Sequence, residues 1–253
     1  MLNYTQSILF AVAAVAGSLL FMALLNRIWP RENRREHTDQ IGWQLSVLGT
    51  TYAVILGFML YAVWTDFGIA EANADLEGNA LVNIYRLAEG LPDQQRVQLQ
   101  ELTRRYADAA INQDWPQMAV NQVPSGTAGI NADMWKTLMS VKAASPTEIT
   151  AEDHALSELS TLTRHRRTRL LQSMSRLPMV LWWVLLVGGG VTIASSCLFG
   201  SANKALHTLQ VFAFSLLIAM ALTAIADINR PFQGSIHVSN HSFIQALQNM
   251  PGP

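Results

Sequence analysis

The sequence predicts an all-α membrane protein: four transmembrane helices with a helical soluble insert between the second and third. Two observations carry this expectation. Half of the 253 residues are hydrophobic and 14% are charged, where a soluble domain carries about a quarter. The chain also contains four long runs without a single charge. A water-covered surface needs more charge than this. The formal charge of -1, from 17 Lys+Arg against 18 Asp+Glu, supplies no basic footprint for nucleic acid. One cysteine, Cys197, excludes an intramolecular disulfide and any Cys-based zinc or iron–sulfur site.

The first run gives a span over about 7–26. It lacks the positive charges that precede the apolar stretch of a secretion signal, so it reads as a retained span. The second run, 41–65, ends at Asp66; together these form a first helix pair in 1–65. The third lies between Arg176 and Lys204, with a span at about 177–199. The fourth, at about 205–226, ends at Asp227 and closes a second pair in 177–227. Each is long enough to cross about 30 Å of hydrocarbon, which takes roughly 20 helical residues. Barrel strands would alternate in short segments. Lipid offers the backbone no hydrogen-bond partner, so the spans are helices. Trp29, Trp43, Trp64, Trp182 and Trp183 flank the runs, at the headgroup level that suits an indole.

The insert, 66–176, reads as helical throughout. No turn signal follows Thr65, so the second span is expected to continue into the insert until Gly90 and Pro92. Leu76, Ala80, Ile84, Leu87 and Leu91 form its apolar stripe. A second helix is expected over 93–113, with Val97, Leu102, Tyr106 and Ala109 inward. A loop over 121–130 and a short helix over 132–143 follow. Ser145-Pro146-Thr147-Glu148 is a capping box opening a helix that carries Ile149, Leu156, Leu159 and Leu162. The tail, 228–253, holds a short amphipathic helix started by Ser239. Charge counting does not orient the chain, since five positives on one side of the spans face six on the other.

Function centres on the second span. Gly49, Ala53 and Gly57, four apart, form a small-residue face that admits close helix packing, within a subunit or between subunits. The same helix is alternatively pore-lining, with Thr50 and Thr51 offering hydroxyls and Ile55, Phe58 and Met59 an apolar constriction. The absence of Asp, Glu, Lys and Arg at mid-membrane depth argues against a proton-coupled transporter.

Elsewhere the signals are structural. His237 and His241, four apart, straddle the start of the tail helix and read as solvated, so no metal is expected. Asp66, Glu71, Asp75 and Glu77 read as a wetted face, and Arg164 to Arg169 as a juxtamembrane anchor or an anion-holding patch. Gly188-Gly189-Gly190 is a packing or bending feature, and Asp227 with Arg230 a structural pair at the water boundary. No nucleophile–base arrangement or phosphate loop is present, so neither an enzyme nor a cofactor is expected.

The run from Gly49 to Phe58 (GTTYAVILGF) resembles a motif of the bestrophin-like domain family of bacterial membrane proteins. So do Glu77 to Pro92 (EGNALVNIYRLAEGLP), Leu177-Pro178 with Trp182-Trp183, and Asp227 to Gly234 (DINRPFQG). The likeness runs in order over nearly the whole chain. It makes Asp227, Arg230, Pro231, Phe232 and Gly234 structural motif residues. Bestrophins are pentameric anion channels whose second span lines the pore and whose following helices form a soluble vestibule. The resemblance thus implies a homo-oligomer, a pentamer by the same likeness, in the inner cell membrane that passes chloride or other small anions, with the lipid bilayer as its other partner. It also places the insert in the cytoplasm. The acidic calcium clasp of animal bestrophins is not found here. The rival expectation is a non-conducting scaffold or envelope-stress sensor acting through its helical insert.

Overall fold

The computed structural model describes residues 4–200 and 203–251. It is helical, with no strand among the described residues. It divides into two units, Met1–Thr65 with Arg176–Asn229, and Asp66–Ser175 with Arg230–Pro253. The ends of the expected tail, 252–253, lie outside the described residues.

The first unit contains α1 (Tyr4–Ile28), α2 (Arg31–Arg34), the start of α3 (Thr38–Leu87), α8 (Met179–Cys197) and α9 (Lys204–Ile228). Among the described residues four helices are long and apolar enough to cross a membrane. Prolines mark two of the starts, Pro30 before α2 and Pro178 before α8. Asn203 caps α9, its Oδ1 accepting from the Ala205 and Leu206 amides at 3.0 and 3.1 Å. Within the unit α1 packs on α9 and α8, around Met22, Cys197 and Val211. Several hydroxyls on these helices return to their own backbone, as Thr192 does to Gly188 O at 2.7 Å and Ser215 to Val211 O at 2.7 Å. That satisfies them without water. Ile8, Leu20, Val180, Val187, Leu209 and Leu217 stay uncovered, as apolar side chains facing lipid would.

The second unit contains the rest of α3, then α4 (Asp93–Ala109), α5 (Trp115–Ala119), α6 (Gly126–Met139), α7 (Pro146–Met174) and α10 (His241–Asn249). A 3-10 turn over Ala88–Gly90 ends α3, as Gly90 and Pro92 required. The capping box of α7 is present: the Glu148 amide donates to Ser145 Oγ at 3.2 Å, and the Ser145 amide to Glu148 Oε2 at 3.3 Å.

Several sequence expectations shift. Val97 and Ile149 are exposed, with Leu99 and Ala151 taking the inward positions. The helix opened by Asp93 runs through a π turn, Ala110–Asp114, into α5 rather than stopping near 113. The loop is shorter than 121–130, because α6 starts at Gly126 and ends at Met139. Asn240 is the N-cap residue of α10, although Ser239 Oγ accepts from the His241 amide at 3.1 Å. The largest shift concerns α3. Leu76 is half exposed and Leu87 half-buried, while Ala80, Ile84 and Leu91 are buried as expected; the buried face also holds Ala70, Ala74, Glu77, Leu81 and Ala88, which puts a carboxylate in the core.

Candidate functional site

In the first unit α3 has two unlike faces. On one, Tyr52 is buried and donates its hydroxyl proton to Leu185 O of α8 at 2.8 Å. A Cβ added at Gly188 or Gly189 would come within 2.9 or 2.8 Å of the Tyr52 ring or hydroxyl, so the glycine run of α8 is the socket for this one side chain. On the other, Val47, Thr51, Val54, Phe58 and Tyr61 are uncovered, at the alternating spacings of four and three that define one helix face. Phe58 is 66% and Tyr61 69% exposed, unusual for side chains of that size.

The expected site residues sort themselves around these faces. Thr50, Thr51, Ala53, Gly57 and Phe58 are exposed, and Ile55 and Met59 are half-buried toward the Tyr52 side. A Cβ at Gly49 or Gly57 would meet nothing within 4 Å. The small residues therefore carry no packing inside the first unit. Gly49 and Thr50 instead edge a groove of about 670 Å³ between α3, α8 and α9, lined also by Ser46, Phe199, His207 and Gln210.

The second unit centres on charge. Arg169 and Glu77 are both fully buried, joined through Nε–Oε2 at 2.8 Å and Nη2–Oε1 at 3.0 Å. Arg169 Nη2 also donates to Asp114 Oδ2 at 2.9 Å. Asp114 sits at the end of the π turn and accepts from the Gly126 amide at 2.9 Å and the Thr127 hydroxyl at 2.7 Å, so it caps α6 as well. Tyr106 donates to Glu77 Oε1 at 2.7 Å. The Arg169 guanidinium lies over Trp115, 5.0 Å from the ring centroid, and near Phe243 at 5.9 Å.

Burial works against the Arg169 charge, but Glu77 outweighs it and raises the affinity for the proton. Burial, then the Glu77 charge, pushes the Tyr106 hydroxyl well above its ordinary value. Both groups stay protonated across the physiological range, so the network is a fixed clamp and not a proton relay.

The tail motif closes over this clamp. Pro231, Phe232 and Gln233 are buried, and Phe232 packs edge-on to Trp115 at 5.8 Å. Trp115 Nε1 donates to Val238 O at 3.0 Å. Gly234 adopts φ 82°, the left-handed conformation that glycine supplies without strain. Arg230 is half-buried, as is Asp227 near the end of α9, while His237 and His241 are exposed.

Sequence reasoning missed the clamp. Glu77 does not belong to a wetted face, nor Arg169 to a surface patch. The signal was phase: Glu77 falls in step with Ala70, Ala74, Leu81 and Ile84, and Arg169 with Ala155, Leu159 and Leu162. A charge on the core stripe of each of two helices calls for a partner of opposite sign.

A model of the Bestrophin-like domain matches residues 12–243. Two crystal structures of a bacterial bestrophin homologue from Klebsiella pneumoniae, each carrying a single substitution, are similar in fold. Both are 14% identical to this chain and cover 97% of it; their TM-scores are 0.66 and 0.70, over 97% and 99% of the homologue. No curated protein matches the sequence significantly.

Proposed function

The chain belongs to the Bestrophin-like domain family, and on that premise we propose that it forms a homo-oligomeric, anion-permeable channel in the inner cell membrane, without enzymatic activity. In this reading α3 lines the pathway and the second unit is a soluble, helical vestibule wall. The observation that carries it is the uncovered face of α3. Val47, Thr51, Val54, Phe58 and Tyr61 are spared from packing while the opposite face is committed to α8 through Tyr52. A helix anchored on one side and bare on the other is suited to meet either neighbouring copies or a central axis.

Within that face Thr51 offers a hydroxyl and Phe58 an apolar constriction that gates by dewetting. The small side chains of Gly49, Ala53 and Gly57 let copies approach closely around the axis. The absence of carboxylates from 41–65 leaves no fixed negative charge there to repel an anion. Purified protein in planar bilayers is expected to carry chloride current, and Phe58→Ala to change its size or gating. Silence over a range of voltage, pH and divalent-ion concentration would overturn the reading in favour of a non-conducting scaffold or sensor.

A further inference from the structure

In the first unit, the connection between α1 and α3 gathers two cationic side chains around one neutral acceptor. Arg34 is wholly buried. Its Nη1 donates to Cys197 O at 2.8 Å, at the C-terminal end of α8, and its Nη2 donates to Asn26 Oδ1. Arg31 Nε donates to the same Asn26 oxygen at 3.0 Å. Two guanidinium groups therefore share one neutral acceptor, and their positive charges sit side by side.

Among the described residues neither group has a carboxylate partner; the ion pairs there involve Arg96, Lys136 and Arg169. Two of their nitrogens, Arg31 Nη1 and Arg34 Nε, are buried with no hydrogen-bond partner among the described residues.

Adjacent like charges repel, and a buried N–H without an acceptor carries the full cost of its lost water. The partial negative charge at the end of α8 offsets only part of this. A single kind of ligand answers both problems: an anion with several acceptor oxygens. Guanidinium forks match phosphate oxygens in pairs, which a monatomic anion does not exploit. Arg31 is only half-buried, which leaves an approach from the surface, and Trp29 and Trp43 on either side are exposed. Tryptophans so placed mark headgroup depth in a spanning protein.

We propose that Arg31 and Arg34 bind a phosphate-type oxyanion, either the phosphate of a lipid headgroup or free inorganic phosphate. The site lies off the uncovered face of α3 and does not depend on ion conduction.

The test uses the full chain, stripped of lipid in an uncharged detergent. One arm adds short-chain phosphatidylglycerol; the other adds sodium phosphate against sodium chloride at matched ionic strength. Melting temperature and native mass spectrometry read binding. The wild type is expected to be stabilised in at least one arm. A response to the lipid alone assigns the site to headgroups, and a response in both assigns an accessible phosphate site. Arg31→Gln is expected to weaken binding about tenfold, the effect of losing a charge-assisted hydrogen bond. Arg35→Gln, at an exposed neighbour, is expected to leave binding unchanged. Arg31→Lys, which keeps the charge and loses the fork, should fall between them and guards against a Gln variant that misfolds. No response of the wild type in either arm, or equal losses in Arg31→Gln and Arg35→Gln, would overturn the proposal.

Discussion

The two units bury polarity in different ways. In the first, hydroxyls such as those of Thr192 and Ser215 bond to their own helices, Tyr52 donates to Leu185 O, and the buried Arg34 meets neutral oxygens and no carboxylate among the described residues. In the second, Arg169, Glu77 and Asp114 are full charges with no exposure at all, tied together with Tyr106 and Thr127. On the proposed reading, lipid around the first unit and water around the second account for the contrast. Helices in lipid gain nothing from burying apolar surface against each other, so they rely on close fit and leave apolar faces outward. A unit that gathers its helices by apolar burial can hold a charge cluster inside, provided every member is paired. Specificity in the first unit therefore rests on steric fit such as that of Tyr52 against Gly188 and Gly189, while the second carries its own lock.

The sharpest way to break the comparison is Arg169→Met. Removing the one cation leaves two buried carboxylates facing each other, and the second unit is expected to lose about 3–5 kcal/mol. Thermal unfolding in detergent reads this, and a melting temperature equal to wild type would deny the clamp its role.

The corresponding insult to the first unit is steric. Gly189→Val drives two methyl groups into the Tyr52 hydroxyl and is expected to cost about 1–3 kcal/mol, while Tyr52→Phe loses one hydrogen bond, about 1 kcal/mol. If Tyr52→Phe proved the more damaging of the two, fit would not be what holds α3 on α8.

Phe58→Ala removes more side chain than Tyr52→Phe, yet the Phe58 ring is mostly uncovered within the unit. Unfolding of the detergent-dispersed subunit is expected to change by no more than about 0.5 kcal/mol. A larger loss would mean that Phe58 packs inside the subunit after all.

The smallest expected effect is that of pH. Burial, then the neighbouring Arg164 charge, holds His165 below its ordinary value, with Glu77 partly opposing them. The unfolded chain therefore takes up a proton first as pH falls through about 6.5, and folding stability falls with it. Melting temperatures between pH 8 and 5 should show a decline that His165→Gln flattens; an unchanged slope would place the titration elsewhere.

The membrane helices were legible in the sequence because a run without charge is a one-dimensional signal. The capping box at Ser145 was legible for the same reason, its partners being three residues apart. Glu77 and Arg169 were not, since charge on a helix reads as solvent exposure until a partner 92 residues away is known. The stripe of α3 was misphased at Leu76 because aliphatic size outweighed the alanines one turn apart at 70 and 74 that pack in the core. The face of α3 around Phe58 lies between these cases: its residues were named from sequence, but which of them stay uncovered needed α8 and Tyr52 in place.

The most direct measurement is thiol accessibility on that face. With Cys197 fully buried, Phe58→Cys offers a single reactive position in reconstituted protein. A membrane-impermeant thiol reagent is expected to label it from water and to reduce chloride current as it does so. A cysteine at 58 that stays unlabelled while current flows unchanged would contradict a water-filled path along α3.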